Sequence, residues 1–366
     1  MEIRAALLRE AGEPLIVETA ELEAPRAEEV LVRMAGTGVC HTDLGFCATA
    51  GAEQLPFVLG HEGAGVVEAV GAEVRTVAVG DHVVLSYASC GGCRNCLRNR
   101  PQYCASNVGL NFGGARLDGT TALRAGSTAV HTHFFGQSSF ADYAVTYERN
   151  CVTVDKDLPL ELLGPLGCGL QTGAGAVLNA LDVRPGDSLA VFGVGSVGLA
   201  AVMAGAIAGA EHIVAVDRNP DRLALASELG ATTIVDAAAT DPVEAVRDAT
   251  GGGVDHSVDC VGAGTVISQA LSVLVPPGTC ITLGLQGMVN EITVDQAALL
   301  FGRSLRGVLE GDSIPDVFIP RLLQEYRAGR FPIEKLVRTF KFNEINDAIA
   351  AAAEQSVIKP VVIFDS

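Results

Sequence analysis

Four of the ten cysteines fall within the fifteen residues CGGCRNCLRNRPQYC, 90–104. Cys90, Cys93, Cys96 and Cys104 follow the spacing C-x2-C-x2-C-x7-C. Thiols this close can form two disulfides, a redox pair, or a tetrahedral thiolate site for zinc. Gly91 and Gly92 ease the tight turns that wrap such a segment around one ion. Four sulfur ligands leave no open coordination position, so a zinc here staples a lobe of residues 88–106 and does no chemistry.

A second set is dispersed. GVCHTD places Cys40 just after a strand pattern, LGHEGAG places His61 and Glu62 before Gly63 and Gly65, and LGCGLQTG places Cys168 between glycines. Cysteine, histidine and cysteine supply three ligands and leave a fourth position for water or substrate, which is how a catalytic zinc is held. Taken singly, each has a plainer reading as a buried thiol or a core histidine, and composition cannot join residues so far apart.

The third constellation is LAVFGVGSVGLA, with G-x-G-x-x-G at Gly193, Gly195 and Gly198 after a strand pattern and opening a helix. Asp217 ends the next strand about twenty residues on, completing the signature of a dinucleotide loop. The glycines permit the turn and the approach of backbone to a pyrophosphate, and the helix N-terminus faces its charge. Asp217 suits the ribose hydroxyls of NAD and repels the 2′-phosphate of NADP; Arg218, next to it, works against that preference. An open-position zinc beside a nicotinamide is equipment for oxidising an alcohol.

The elements that must position these residues differ between the two parts of the chain. The first 150 residues consist of short apolar runs broken by glycine and proline (EVLVRMAGTGV, GAGVVEAVG, GDHVVLSY, FADYAVTY) and predict a β-rich domain. From about residue 170, strand patterns such as DSLAVFGVG and HIVAVDRN alternate with helical ones such as DRLALASELG, which predicts α/β with a doubly wound parallel sheet. After residue 311 the pattern is irregular, with DVFIPRLLQEYRAG helical and KPVVIF a final strand. At 366 residues two domains are expected.

The net charge of −18 excludes nucleic acid and anionic membrane as partners, because the field would repel phosphates. The N-terminus lacks the continuous apolar stretch of a signal peptide. Residues 193–210 are apolar enough to suggest a membrane span, but their glycine pattern marks a buried helix. A cytoplasmic location follows as an expectation, and reducing conditions there favour metal over disulfide.

With these motifs in this order, the chain resembles the zinc-dependent medium-chain alcohol dehydrogenases, most closely the aryl-alcohol (benzyl alcohol) branch. GVCHTDL, GHEGAGVVEAVG, the cysteine lobe, GVGSVG and VDRNPDRL carry the family likeness, while HTHFFGQSSFADYAV, GPLGCGLQTGAGAV and LEGDSIPDVFIPRL carry the branch. The resemblance implies a GroES-like β-rich catalytic domain at 1–169, a Rossmann NAD-binding domain at 170–310, and a return segment at 311–366 that completes the catalytic domain, with the active site in the cleft between the domains. It implies a homodimer or homotetramer, two zincs per chain, and NAD.

By motif match, Cys40, His61 and Cys168 hold the catalytic zinc, with Glu62 beside them. Thr42 accepts the alcohol's proton, hydride passes to the nicotinamide, and Asp43 orients a ligand. His41 and Lys359 match positions at the cofactor pyrophosphate, and Arg222 one at the adenosine ribose. Tyr87, Phe134 and Leu285 align with pocket-lining positions, with Phe135 adjacent; all of these have a plainer reading as core. The sequence departs from many relatives at Gly45, where a histidine would pass the proton on to solvent.

The implied reaction is reversible oxidation of a primary, benzyl-type alcohol to its aldehyde. A thiol-adduct-dependent formaldehyde dehydrogenase of the same family shares both zinc sites, and a non-catalytic NAD-binding protein would share the fold. Cys47, Cys151, Cys260 and Cys280 are expected as buried small side chains. His131 and His133 are expected in a loop or at the surface, and His82 facing solvent.

Overall fold

The apolar run EVLVRMAGTG forms the strand Glu29–Gly38, buried along almost its whole length. It is buried because it has neighbours on both edges: Glu62–Val70 and Tyr143–Tyr147 pair with it, and so does Lys359–Ile363 from the far end of the chain. The computed structural model describes residues 1–287 and 289–365, which divide into two units. This strand belongs to the first, made of Met1–Cys168, Ile314–Arg321 and residues 332–365.

Among the described residues, the first unit contains a seven-stranded sheet around Glu29–Gly38 and a five-stranded antiparallel sheet in which Glu2–Leu8 and Ile16–Leu22 are central. The register Val361↔Gly38 and Val362↔Thr37 brings the C-terminal strand alongside the segment that ends in Cys40. A side chain on Gly38 would run into the Glu62 carboxylate, so that strand needs glycine there.

The expected return segment 311–366 is divided. Ile314–Arg321 and 332–365 belong to the first unit, but Gly311–Ser313 and Leu322–Phe331 belong to the second, where Leu322 and Phe331 are fully buried. One helix, Pro315–Arg327, carries residues of both divisions, and its amphipathic texture shows no break for composition to detect. Ser366 lies outside the described residues.

In the second unit, Gly169–Ser313 and Leu322–Phe331, the strands run parallel in the order Thr233–Asp236, His212–Asp217, Ser188–Phe192, Val254–Asp259, Leu274–Thr282, Ser304–Gly307. This is the doubly wound order, whose switch point lies beside the first strand, Ser188–Phe192. The apolar run at 193–210 forms the buried helix Ser196–Ala208, and no helix among the described residues is long and apolar enough to cross a membrane.

His131 and His133 lie in the loop after the strand Thr128–Val130, as expected, but neither is at the surface. His131 is half-buried, its ring stacked on Phe57 with centroids 5.8 Å apart. His133 is buried inside the first unit, its Nδ1 2.8 Å from Thr132 Oγ1 and its Nε2 3.9 Å from Glu29 Oε1. Glu29 itself is buried and bonded in two-pronged fashion by Arg116, at 2.6 and 3.1 Å. A buried ion pair beside the strand demanded a polar neighbour, which a two-residue spacing of histidines cannot reveal. His82 is half-buried with Nδ1 enclosed, in place of the expected solvent-facing position.

Burial and the nearby Arg116 charge lower the His133 pKa to about 4. Between that value and the unfolded pKa near 6.5, the unfolded chain binds a proton that the folded chain refuses, so stability falls as pH falls through this window. Going from pH 7 to pH 5 should therefore cost about 2 kcal/mol through this group. Asparagine tolerates the left-handed backbone at 133 (φ 65°) and does not titrate there, so His133→Asn should flatten that part of the pH dependence. Urea midpoints at the two pH values check this; equal losses in both proteins would remove His133 as the cause.

Candidate functional site

Cys40 ends the central strand and precedes the helix His41–Thr49. Asp43 lies in the first turn of that helix, fully buried, and one carboxylate oxygen accepts from the Cys40 N–H at 2.9 Å. The other oxygen accepts from Gly60 N at 3.1 Å and lies 3.1 Å from His61 Nδ1. Asp43 thus fixes the tautomer and tilt of the imidazole, as carboxylates behind metal-binding histidines do.

The other ring nitrogen, His61 Nε2, is buried and has no hydrogen-bond partner among the described residues. Ligand atoms of Cys40, His61, Glu62 and Cys168 all lie within 4.8 Å of one another. Cys168 follows the turn Gly164–Gly167, which Ser86 Oγ anchors by donating to the Gly167 carbonyl at 2.7 Å. Hydrogen bonding with Cys168, against the cost of burial, holds the Cys40 thiol well below its ordinary range, with His61 adding to the effect. Burial opposes charge on His61, yet Asp43 and Cys40 raise its proton affinity well above the usual value. Two thiols, an unpartnered imidazole nitrogen and a negative local potential are the donor set and field that zinc requires.

Glu62 and Lys359 form a buried ion pair, with Nζ 3.0 and 2.9 Å from the two carboxylate oxygens. Lys359 Nζ also donates to the Val39 carbonyl at 3.1 Å. These bonds engage its ammonium, and strand pairing buries it beside the cysteine–histidine group. Burial pushes the Glu62 carboxyl up, and the lysine counteracts this.

Thr42 is half-buried, with Oγ1 3.8 Å from Cys40 Sγ, so its hydroxyl adjoins the ligand group. His41 is exposed at the start of the same helix. Gly45 is exposed, and a side chain there would meet nothing within 4 Å.

The four clustered sulfurs lie in the same unit. Cys93 and Cys96 Sγ are 3.5 Å apart, Cys90 and Cys96 4.0 Å, and Cys93 and Cys104 4.0 Å. Zinc–sulfur bonds of about 2.3 Å in a tetrahedron place sulfurs about 3.8 Å apart, whereas a disulfide needs about 2.05 Å. Backbone N–H groups of Cys93, Ala105 and Ser106 point at Cys90, Cys93 and Cys104 sulfurs from 3.3–3.4 Å, an arrangement that favours thiolates. Of the remaining cysteines, Cys151 and Cys280 are buried and Cys47 and Cys260 partly so.

In the second unit, Gly193 takes φ 85°, open to glycine without strain, and a side chain on Gly198 would collide with the Gly193 carbonyl. Gly195 precedes the first residue of the helix Ser196–Ala208. Asp217 accepts from Val194 N at 2.7 Å, and from Arg218 N and Asn219 N at 2.7 and 2.9 Å, so its charge is tied to the glycine loop. Arg222 brings a guanidinium nitrogen 4.0 Å from where a Gly195 side chain would begin. Cys40, His61, Glu62 and Cys168 come together, Thr42 and Asp43 adjoin them, and Lys359 joins them through Glu62.

The three residues aligned with a pocket differ. Phe134 is wholly buried, edge-on to Phe46, Phe57 and Phe112; Tyr87 is buried as well; Leu285 belongs to the second unit and is 70% exposed. Phe135, by contrast, stacks on the His61 ring, with centroids 4.3 Å apart and planes at 24°. Two residues escaped the sequence reading. Phe112 stands edge-on to Phe135 at 5.1 Å, and Gln137 donates to the His61 carbonyl at 2.9 Å while accepting from Gly63 N at 3.0 Å. Neither has a local signal; only the fold brings them to His61.

Family models for an alcohol dehydrogenase GroES-like domain and a zinc-binding dehydrogenase match residues 26–156 and 196–325. The chain is 48% identical to geraniol dehydrogenase of Castellaniella defragrans, over 99% of this chain and 97% of that protein. An alcohol dehydrogenase zinc-binding domain protein from Burkholderia ambifaria superposes with TM-score 0.98 at 49% identity, covering all of both chains. Benzyl alcohol dehydrogenase from Acinetobacter calcoaceticus superposes with TM-score 0.96 at 42% identity, again over both whole chains.

Proposed function

This chain belongs to the zinc-dependent medium-chain alcohol dehydrogenases, and from that membership we propose that it oxidises a primary aromatic alcohol of the benzyl type to its aldehyde, reversibly, with NAD as hydride acceptor. The observation that carries the aromatic reading is the Phe135 ring stacked on His61, with the partly buried Phe46 and Phe112 around it and Phe134 packed behind them. Such a wall suits a flat ring through offset or edge contacts worth about 1 kcal/mol each. Likeness to a benzyl alcohol dehydrogenase over the whole chain supports it. Likeness to a geraniol dehydrogenase favours a second reading, an allylic alcohol, which shares with benzyl alcohol an unsaturated carbon next to the reacting one.

When bound, zinc supplies Lewis acidity that makes a neighbouring hydroxyl acidic, and the nicotinamide takes the hydride. Cys40, His61 and Cys168 hold the metal, the two-cysteine, one-histidine set used by alcohol dehydrogenases. Asp43 keeps Nε2 of His61 free for it. The Thr42 hydroxyl receives the alcohol's proton. With glycine at 45, no side chain at that exposed position passes the proton on to solvent. Cys90, Cys93, Cys96 and Cys104 hold the second, structural zinc.

Asp217, fixed against the glycine loop, supports NAD over NADP, and Arg222 beside Gly195 adjoins the adenosine ribose. The edge strand Ser304–Gly307, paired on one side among the described residues, with exposed Leu300 and Phe301 just before it, supports pairing of copies through the second unit. Cysteines held outside disulfides among the described residues support a reducing, cytoplasmic setting.

The test is NAD reduction by the purified protein with benzyl alcohol, geraniol and ethanol in turn, with NADP as alternative acceptor, before and after a chelator. Benzyl alcohol should be oxidised with a kcat/KM well above that for ethanol, NAD should outperform NADP, and the chelator should abolish the reaction. Preference for geraniol would favour the allylic reading. Activity only with added thiol and formaldehyde would replace both with the adduct reading.

A further inference from the structure

The segment His133–Ser138 is strained and heavily tied down. His133, Phe135 and Ser138 take φ of 65°, 51° and 54°, the left-handed region that non-glycine residues seldom occupy. Such a conformation persists where surrounding bonds over-determine it, and such segments gather at functional sites.

The bonds here converge on one target. Gln137 clamps the backbone on both sides of Glu62, through the His61 carbonyl and the Gly63 N–H. Ser139 N donates to the Gly60 carbonyl at 2.9 Å, and Phe140 N to the Leu59 carbonyl at 3.0 Å. Ser138 Oγ accepts from Phe134 N at 3.0 Å and donates to the Val58 carbonyl, while Asn150 Nδ2 holds the Phe135 carbonyl at 3.2 Å. The product of these constraints is a single placement: the Phe135 ring lies nearly parallel to the imidazole of His61, backed edge-on by Phe134 and Phe112.

Asp43 fixes His61 at Nδ1 and Phe134 meets the ring edge-on at 5.4 Å, which leaves rotation of the ring plane about the Nδ1 contact to be limited from its face. A ring face 4.3 Å away removes that freedom. We propose that Phe135 is a positioning residue for the metal: its ring sets the plane of the His61 imidazole, hence the direction of Nε2, and ties the metal site rigidly to the aromatic wall. The inference rests on zinc at Cys40, His61 and Cys168 and is independent of which alcohol is oxidised.

The experiment is zinc release from the holoenzyme into a chromophoric chelator. The phase belonging to this site is identified as the one lost in Cys168→Ser, and the cysteine lobe serves as internal reference. Phe135→Leu keeps apolar bulk but has no ring face, and should accelerate that phase about three- to tenfold while leaving the other unchanged. Phe135→Tyr keeps the face and should release zinc at the wild-type rate. Wild-type release from Phe135→Leu, equal acceleration of both phases, or the same acceleration in Phe135→Tyr would each overturn the proposal. None of these outcomes depends on substrate turnover, so a failure of the benzyl reading would be seen separately.

Discussion

Thr42→Ala is expected to lower kcat/KM for the alcohol by about 10²–10⁴, the range lost with a group that takes up a proton in the transition state. Zinc content and NAD affinity should stay unchanged, because the Thr42 hydroxyl lies 3.8 Å from Cys40 Sγ and only adjoins the ligand group. Thr42→Ser keeps an oxygen at the same place and should retain most of the activity. The residual rate of the alanine variant should climb with pH, since hydroxide then does what the threonine did. A variant within tenfold of wild type would mean that the proton leaves by another path. Steady-state kinetics from pH 6 to 10, with metal analysis of each preparation, make the measurement.

Lys359→Met is expected to remove about 3–5 kcal/mol of stability, the usual consequence of stripping one partner from a buried ion pair. Glu62 and Lys359 are essentially sealed from solvent, and the methionine would leave a carboxylate with no counter-charge from the chain's C-terminal strand. Adding Glu62→Gln should recover a large part of that loss, because the penalty lies in a buried charge deprived of its lysine and not in the missing contact. Denaturant unfolding of the two single variants and the double variant forms the cycle. A single-variant loss under 1 kcal/mol would show that water or a cation reaches Glu62 when the lysine is gone. The same series bears on the pyrophosphate expectation: if Lys359 served the cofactor, Lys359→Met would raise the KM for NAD far more than it lowers stability.

The motifs whose chemistry is local were readable directly. Cys90, Cys93, Cys96 and Cys104 lie within one turn-rich segment, and their spacing alone is enough to bring four sulfurs to 3.5–4.0 Å. Gly193, Gly195, Gly198 and Asp217 fall within one strand–helix–strand unit, where the first strand's end and the next strand's end must be neighbours. Alternation of strand and helix likewise determined the parallel sheet, because short connections leave few other ways to bury those apolar runs.

What the tertiary structure alone decided is how distant segments face each other. Lys359 carries no local sign of its partner; the register of Lys359–Ile363 against Glu29–Gly38 puts it on Glu62. His133 reads as a loop or surface residue, and only the fold shows that its loop is buried beside Arg116 and Glu29. Phe134 and Phe135 are indistinguishable as a pair of letters, yet the left-handed turn at 135 sets one ring edge-on and the other face-on to His61. The physical reason is range: turn formation and hydrophobic period act over a few residues and are written in them. Charge pairing across strands and the direction of a side chain from a strained turn depend on contacts between segments tens to hundreds of residues apart.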